Sequence, residues 1–210
     1  MSEIRVLLLL LLASAFPAII ALIWFKLKKH RLTLPLFLLS LTAGIISFMV
    51  AAILQEFIPP IRFNGLAVIF YDIFIRIAMS EEVSRIIVLV PFILLAKKFD
   101  AISGSGAALG LIIGLGFALV ENAYHGISDI SITWLRAFTA APLHGACGIR
   151  VGAAVFSFNE NKGKSLFWFI SAVFIHGAYN LAIVSPALPS MFAIFIALAA
   201  FFASISLTLD

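Results

Sequence analysis

The stretch Ile77–Leu89 reads IAMSEEVSRIIVL and sets Glu81, Glu82 and Arg85 inside a run otherwise apolar enough to cross a bilayer. Charged side chains at bilayer depth cost about 2.5–3.5 kcal/mol each on insertion scales. A chain can carry them there only by turning them into a helix bundle or a water-filled cavity. The stretch therefore excludes a lone spanning helix and demands inward-facing partners on other segments. Arg85 stands four residues after Glu81 and three after Glu82, the spacing of neighbours on a helix. An ion pair that merely locks the bundle accounts for one of the two carboxylates. The other is left over, which marks a functional site.

The rest of the chain agrees with a membrane setting. Charged residues make up 11% of the 210 and hydrophobic ones 63%, against about 25% charged in a soluble domain. The expectation is an all-α polytopic transmembrane bundle, a single integral domain over residues 1–210 embedded in the lipid bilayer. The net charge of +4 sits in short loops, where it reads as orientation information, not as a nucleic-acid footprint. Cys147 is the sole cysteine, so an intramolecular disulfide is excluded.

Seven apolar runs come close to the roughly 20 residues that a crossing needs. They are Ile4–Phe25, Leu34–Leu54, Ile77–Ala96, Ser105–Tyr124, Leu135–Phe158, Ser165–Val184 and Ser190–Leu207. The first follows Glu3 and Arg5 without the basic excess of a signal peptide, so it is read as a retained helix. Leu66–Ala78, with Asp72 and Arg76, fits either an interfacial helix or the outer part of the third span. Lys26, Lys28, Lys29, Arg31, Lys97, Lys98, Lys162 and Lys164 all fall on one side of this arrangement, and only Arg5 and Arg62 on the other. The positive side faces the cytoplasm, which places the N-terminus outside. The core helices span about 77–184.

Three further segments carry polar groups on inward faces. Gly106, Gly110, Gly114 and Ala118 form a row of small residues, the pattern that lets a neighbouring backbone approach. Glu121 lies seven residues beyond Gly114, on nearly the same face, with Asn122 beside it. Ala140, His144, Gly148 and Gly152 form a second row, and Ala172, His176 and Asn180 a third. Taken singly, a membrane histidine is often bonded to a backbone carbonyl, and an asparagine serves as interhelical glue of about 0.6 kcal/mol. Three glutamates, two histidines and two asparagines meeting in the outer half of the membrane call for one explanation.

Two chemistries suit such a cavity. His144, His176 and Glu121 could hold Zn2+ while Glu81 or Glu82 takes a proton from the bound water. Alternatively a carboxylate activates water with no metal, and His or Asn stabilises the oxyanion. The sequence leaves both open, and the HExxH signature is missing. A proton-coupled transporter also uses intramembrane carboxylates and histidines, but there is no inverted repeat and no pair of broken helices. An inactive protease-like interaction or immunity protein is the remaining alternative.

The set Glu81-Glu82-x-x-Arg85, Phe117-x-x-x-Glu121-Asn122, Arg136 with His144, and His176-x-x-x-Asn180 resembles the PrsW family of intramembrane proteases. It is more distantly similar to the CAAX-prenyl-protease and bacteriocin-processing superfamily. The resemblance covers about residues 77–180. It implies a bacterial cytoplasmic-membrane protease in which Glu81 and Glu82 are catalytic, with Arg85, Asn122 and Asn180 beside them and His144 and His176 in the site. It also implies a membrane-protein substrate, single-span and cut near the extracytoplasmic face, such as an anti-sigma-factor-like regulator. Asn180 stands where many members of the family have Asp, and Arg85 replaces the more usual Lys.

Overall fold

A computed structural model describes residues 3–28, 32–61, 65–98, 106–189 and 191–208. Lys29, Arg31 and Arg62, counted among the loop charges, lie outside the described residues, as do Ser105 and Ser190 at the starts of two expected spans. The described chain is helical throughout: α1 (Glu3–Leu27), α2 (Leu34–Phe57), α3 (Leu66–Phe70), a π-helical segment (Tyr71–Met79), α4 (Ser80–Lys98), α5 (Gly106–His125), α6 (Ile130–Phe138), α7 (Ala140–Ser157), α8 (Lys162–Val184) and α9 (Met191–Ile205). Five stretches are long and apolar enough to cross a membrane: Leu8–Leu27, Leu34–Phe57, Gly106–His125, Lys162–Val184 and Met191–Thr208. Their outer faces carry Leu12, Leu38, Phe174, Phe195 and Phe202, all exposed. That is the surface of a multi-pass membrane protein seated in lipid.

Two of the expected spans are drawn differently. Leu66–Ala78 runs on without a break into α4 as one helical stretch. The expected span Leu135–Phe158 is broken at Thr139 (φ −120°, ψ −64°) into α6 and α7. Pro142 supplies the reason. Its ring nitrogen has no hydrogen to give the Phe138 carbonyl, so it is tolerated in the first turn of a helix and not in the interior. The helix restarts at Ala140. Thr139 is held by its hydroxyl, which donates to the Leu135 carbonyl (3.0 Å) and accepts from Tyr179 Oη (3.3 Å).

α5 and α7 form the centre. Both are buried on nearly every side, α5 packing also on α1 and α2, and α7 on α4, α8 and α9. The small-residue rows explain how they meet. A Cβ on Gly110 would be driven into the Gly148 carbonyl, and one on Gly152 into the Gly106 carbonyl. The two backbones therefore touch directly. A second seam of the same kind joins α2 to α5, where Gly44 and Gly116 face each other's backbones. Ser47 and Ser84 hydroxyls, 3.0 Å apart, tie α2 to α4. Arg150 on α7 donates from Nε to Ser204 Oγ (3.0 Å) and from Nη1 to Ser171 Oγ (2.9 Å), clamping α8 and α9.

The π-helical segment docks on α8. Phe74 fills the notch above Gly177, where a Cβ would strike its ring, and stacks near Phe70 and Phe174. Arg76 Nε donates to the Ile58 carbonyl and Tyr71 Oη to the Pro59 carbonyl, both at 3.2 Å. These bonds fix the end of α2 against the segment that leads into Glu81.

Candidate active site

The π-helical repeat gives way to α-helix at Ser80, one residue before the paired carboxylates. Short π-helical stretches recur at functional sites because they re-aim the next turn. Ser80 Oγ donates to the Arg76 and Ile77 carbonyls (2.6 and 2.9 Å), and Ser84 Oγ to the Glu81 carbonyl (2.6 Å). Both hydroxyls are thus satisfied within the helix while the larger side chains turn inward. Glu81, Glu82 and Arg85 are 6%, 0% and 1% exposed.

A chain of hydrogen bonds runs through them. The Arg85 guanidinium lies 4.6 Å above the Phe117 ring. Its Nη1 pairs closely with Glu82 Oε1, and its Nη2 donates to His144 Nδ1 at 2.7 Å. A guanidinium has donors and no acceptor, so His144 Nδ1 must accept. The His144 proton is therefore on Nε2, which donates to Glu121 Oε2 at 2.5 Å. The same oxygen receives Arg136 Nη2 at 2.7 Å. On the other side His176 Nδ1 lies 2.7 Å from Glu82 Oε1 and donates to that carboxylate. In the neutral ring His176 Nε2 keeps its lone pair, facing Glu81 Oε2 at 3.5 Å, and in the imidazolium the same nitrogen donates toward that oxygen. The imidazole rings of His144 and His176 stand perpendicular, 5.1 Å between centroids.

Four helices thus deliver Glu81, Glu82, Arg85, Glu121, His144 and His176 to one buried cluster. The two asparagines stand differently. Asn122 is one step removed: its Oδ1 accepts from Arg136 Nε at 3.0 Å, so it holds the arginine that holds Glu121. Asn180, within α8, is half-buried, and its side chain takes no part in the hydrogen bonds of the cluster. Arg136 entered the resemblance beside His144, but its pairing with Glu121 was not read from the sequence. It lies upstream of the break at Thr139, on a short helix that a straight fifth span would have carried away from Glu121. The proline that forces the break was the available signal. His125, one turn beyond Glu121, adds a contact of 3.7 Å to its second oxygen.

The cluster has room for a cation in chemical terms. Glu81 Oε2 is buried without a hydrogen-bond partner and opposes the bare Nε2 of His176. Two acceptors facing one another require a proton, a water hydrogen or a cation between them. Ligand atoms of Glu81, His144 and His176 all lie within 4.8 Å of one another. The trio expected from sequence, His144, His176 and Glu121, is not such a group, because Glu121 points to the far side of His144 and is taken up by Arg136. His144 could join Glu81 and His176 only by releasing Arg85 or Glu121, since both its nitrogens are engaged. Two imidazoles and a carboxylate are a donor set that suits a borderline divalent ion.

A family model described as "PrsW family intramembrane metalloprotease" matches residues 28–206. A curated relative, Protease PrsW of Clostridioides difficile (strain 630), is 24% identical over 192 residues, which cover 83% of this chain and 79% of the relative. No solved structure matches.

Proposed function

This chain belongs to the PrsW family of intramembrane proteases, and on that premise we propose that it cuts a single-span membrane protein near the extracytoplasmic face, using Glu81, Glu82 and His176 on water. An anti-sigma-factor-like regulator is a substrate of the right form. The observation that carries the reading is the opposition of Glu81 Oε2 and His176 Nε2. It provides a pair of proton acceptors in a buried position, with no internal donor to satisfy them.

In the proposed sequence of events a water molecule enters between these two groups. Glu81 takes its proton as it attacks the scissile carbonyl, and the proton later passes to the leaving amine, the role of a positioned general base and acid. Glu82 keeps His176 in the tautomer that leaves Nε2 free, and Arg85 keeps Glu82 in place. Arg85 also sets the tautomer of His144, whose Nε2–H is aimed at Glu121. Arg136, secured by Asn122, restrains that glutamate. Glu81, His144 and His176 would hold a divalent cation such as Zn2+, which when bound supplies a more acidic water and a polarised carbonyl. In that case the second oxygen of Glu82, buried and without a donor, is the carboxylate oxygen still free to accept the proton.

The proposed topology has seven crossings, with the N-terminus outside. Four of the five apolar stretches form the shell, and α4, α5 and α7 cross inside it, where neighbouring helices and not lipid meet their polar faces. The loop charges support this orientation. Glu81 opens α4, Glu121 lies near the end of α5 and His144 near the start of α7. Alternating helices therefore bring them to the same side of the bundle, the outer one. The test is cleavage of a co-reconstituted single-span reporter by Glu81→Gln and Glu82→Gln. Each should lose roughly 100- to 10,000-fold in rate, the range for a positioned acid or base, while inserting normally. Full activity of both variants would end the assignment.

A further inference from the structure

His176 faces two carboxylates, one from each ring nitrogen. Nε2 looks toward Glu81 at 3.5 Å, and Nδ1 bonds Glu82 at 2.7 Å. A third side chain stands on the Glu82 side and has no part in the chemistry above. Cys147 of α7 is fully buried, and its ligand atom lies within 4.8 Å of those of Glu82 and His176. Its thiol donates to the Ala172 carbonyl at 3.6 Å, a weak bond that a metal can replace. Glu82, 0% exposed, keeps its Oε2 without any donor. A thiol, an imidazole and an unsatisfied carboxylate oxygen thus converge where apolar packing would require none of them.

We propose that Glu82, Cys147 and His176 form a second divalent-cation position, selective for thiophilic ions such as Zn2+ and Cd2+. Sulfur is the ligand that selects such ions over Mg2+ or Ca2+, which prefer all-oxygen sites. On binding, the thiol proton leaves to water and the His176 proton shifts from Nδ1 to Nε2, on the Glu81 side, so that sulfur and Nδ1 both bond the metal; no oxidation is involved. The charges favour it. Ionised Glu81 and Glu82 with Arg85 sum to −1, and a divalent cation with a thiolate adds +1, which brings the group to zero. The position shares His176 with the proposed site, and it takes the His176 Nδ1 from its bond to Glu82 Oε1. Occupancy therefore dismantles the hydrogen-bond chain that sets the His176 tautomer, which makes this an inhibitory position.

Because Cys147 is the sole cysteine of the chain, any metal–thiolate signal can come from it alone. The experiment is an ultraviolet titration of the chelator-treated full chain in detergent with Cd2+. Wild type should develop a sulfur-to-cadmium charge-transfer band that saturates at one ion per chain. Cys147→Ser should give no band at all. Glu82→Gln and His176→Gln should shift half-saturation at least tenfold upward, whereas His144→Ala, which lacks a ligand of the other group only, should titrate like wild type. Absence of the band in wild type would overturn the proposal. So would unchanged titration of both Glu82→Gln and His176→Gln, since that is adventitious binding by a thiol. None of these readings needs a substrate, so they stand apart from the protease assignment. Where cleavage can be followed, excess Zn2+ should inhibit wild type at a concentration at least tenfold below that needed for Cys147→Ser, and equal inhibition would remove the inhibitory role.

Discussion

Gly114→Ala tests whether the backbone seam between α5 and α7 sets the geometry of the site. A Cβ at Gly114 would lie 2.8 Å from the carbonyl carbon of His144 and closer still to its oxygen, whereas ordinary contact begins at 3.4 Å. The carbon alone demands a retreat of 0.6 Å (3.4 − 2.8), and the oxygen demands more, so the helices must part by about 1 Å at the residue that carries the imidazole. Backbone cannot swing aside as a side chain can. Overpacking of this kind destabilises by about 1–3 kcal/mol. The functional loss should be larger than that implies, because the bond from Arg85 to His144, now 2.7 Å, would stretch past useful length. A displacement near 1 Å can lower a rate about a hundredfold. The assay is single-turnover cleavage of a membrane-embedded reporter, with thermal melting of the same preparations in detergent. Gly145→Ala is the control. It neighbours His144, yet its Cβ would meet only the movable ends of Leu111 (2.9 Å) and Phe201 (3.5 Å). Wild-type turnover by Gly114→Ala would refute the reasoning, and equal damage from Gly145→Ala would show that crowding anywhere on α7 suffices.

Arg136→Ala should slow cleavage about tenfold or more, because Glu121 loses a charge-assisted bond of the stronger class, while Arg136→Lys recovers part of the rate; a fall in stability with no change in rate would make Arg136 merely structural. Asp129 caps α6 by accepting from the Ser131 amide (2.9 Å), which holds its pKa below the ordinary 3.8. A carboxylate held low stabilises the fold above the unfolded value and ceases to as pH falls through the folded one. Protection from hydrogen exchange at the start of α6, taken relative to the intrinsic amide rate at each pH, should therefore fall on acidification in wild type and not in Asp129→Asn; equal pH dependence in both would sink this. In a Cys147→Ser background, single cysteines placed over positions 125–131 should react with impermeant thiol reagents from outside, and those at 97 and 98 only from inside. The reverse pattern would invert the topology and move cleavage to the cytoplasmic face.

Much of this arrangement could be read from residue order, for physical reasons that differ from helix to helix. The apolar runs had to be helices, because lipid offers backbone groups no partner. The rows Gly110–Gly114 and Gly148–Gly152 read as close-contact faces because they alternate with bulky residues at helical spacing. The seam at Gly44 and Gly116 escaped notice, since each is a single glycine and needs the other to mean anything. The break at Thr139 escaped because Leu135–Phe158 is long and mostly apolar, and hydropathy outweighed one proline. Glu121 was correctly turned inward, but its partner could not be chosen. A row places a side chain on a face; it cannot say whether a neighbouring arginine or a histidine reaches it first. Asn180 shares its row with His176, yet a common face is about 6 Å of helix rise per four residues, enough to leave it clear of the cluster.

The position of Arg85 divides the cluster in a way the distances alone do not convey. Its guanidinium joins His144 on one side to Glu82 on the other, so the bonds run unbroken from Glu121 to His176. Protons cannot follow them. A guanidinium neither accepts a proton nor gives one up in a protein, so it conducts nothing. Along this chain of bonds Arg85 therefore separates two proton-exchanging groups, Glu121 with His144 on one side and Glu82 with His176 on the other. A proton-coupled transporter needs a relay that passes charge from one face of the membrane to the other, and an arginine in mid-path is the one basic residue that stops it. A proton taken up between Glu81 and His176 has no exit toward Glu121 along the bonds through Arg85. It must be returned to whatever occupies the cavity, and the departing amine of a cut peptide is such an acceptor.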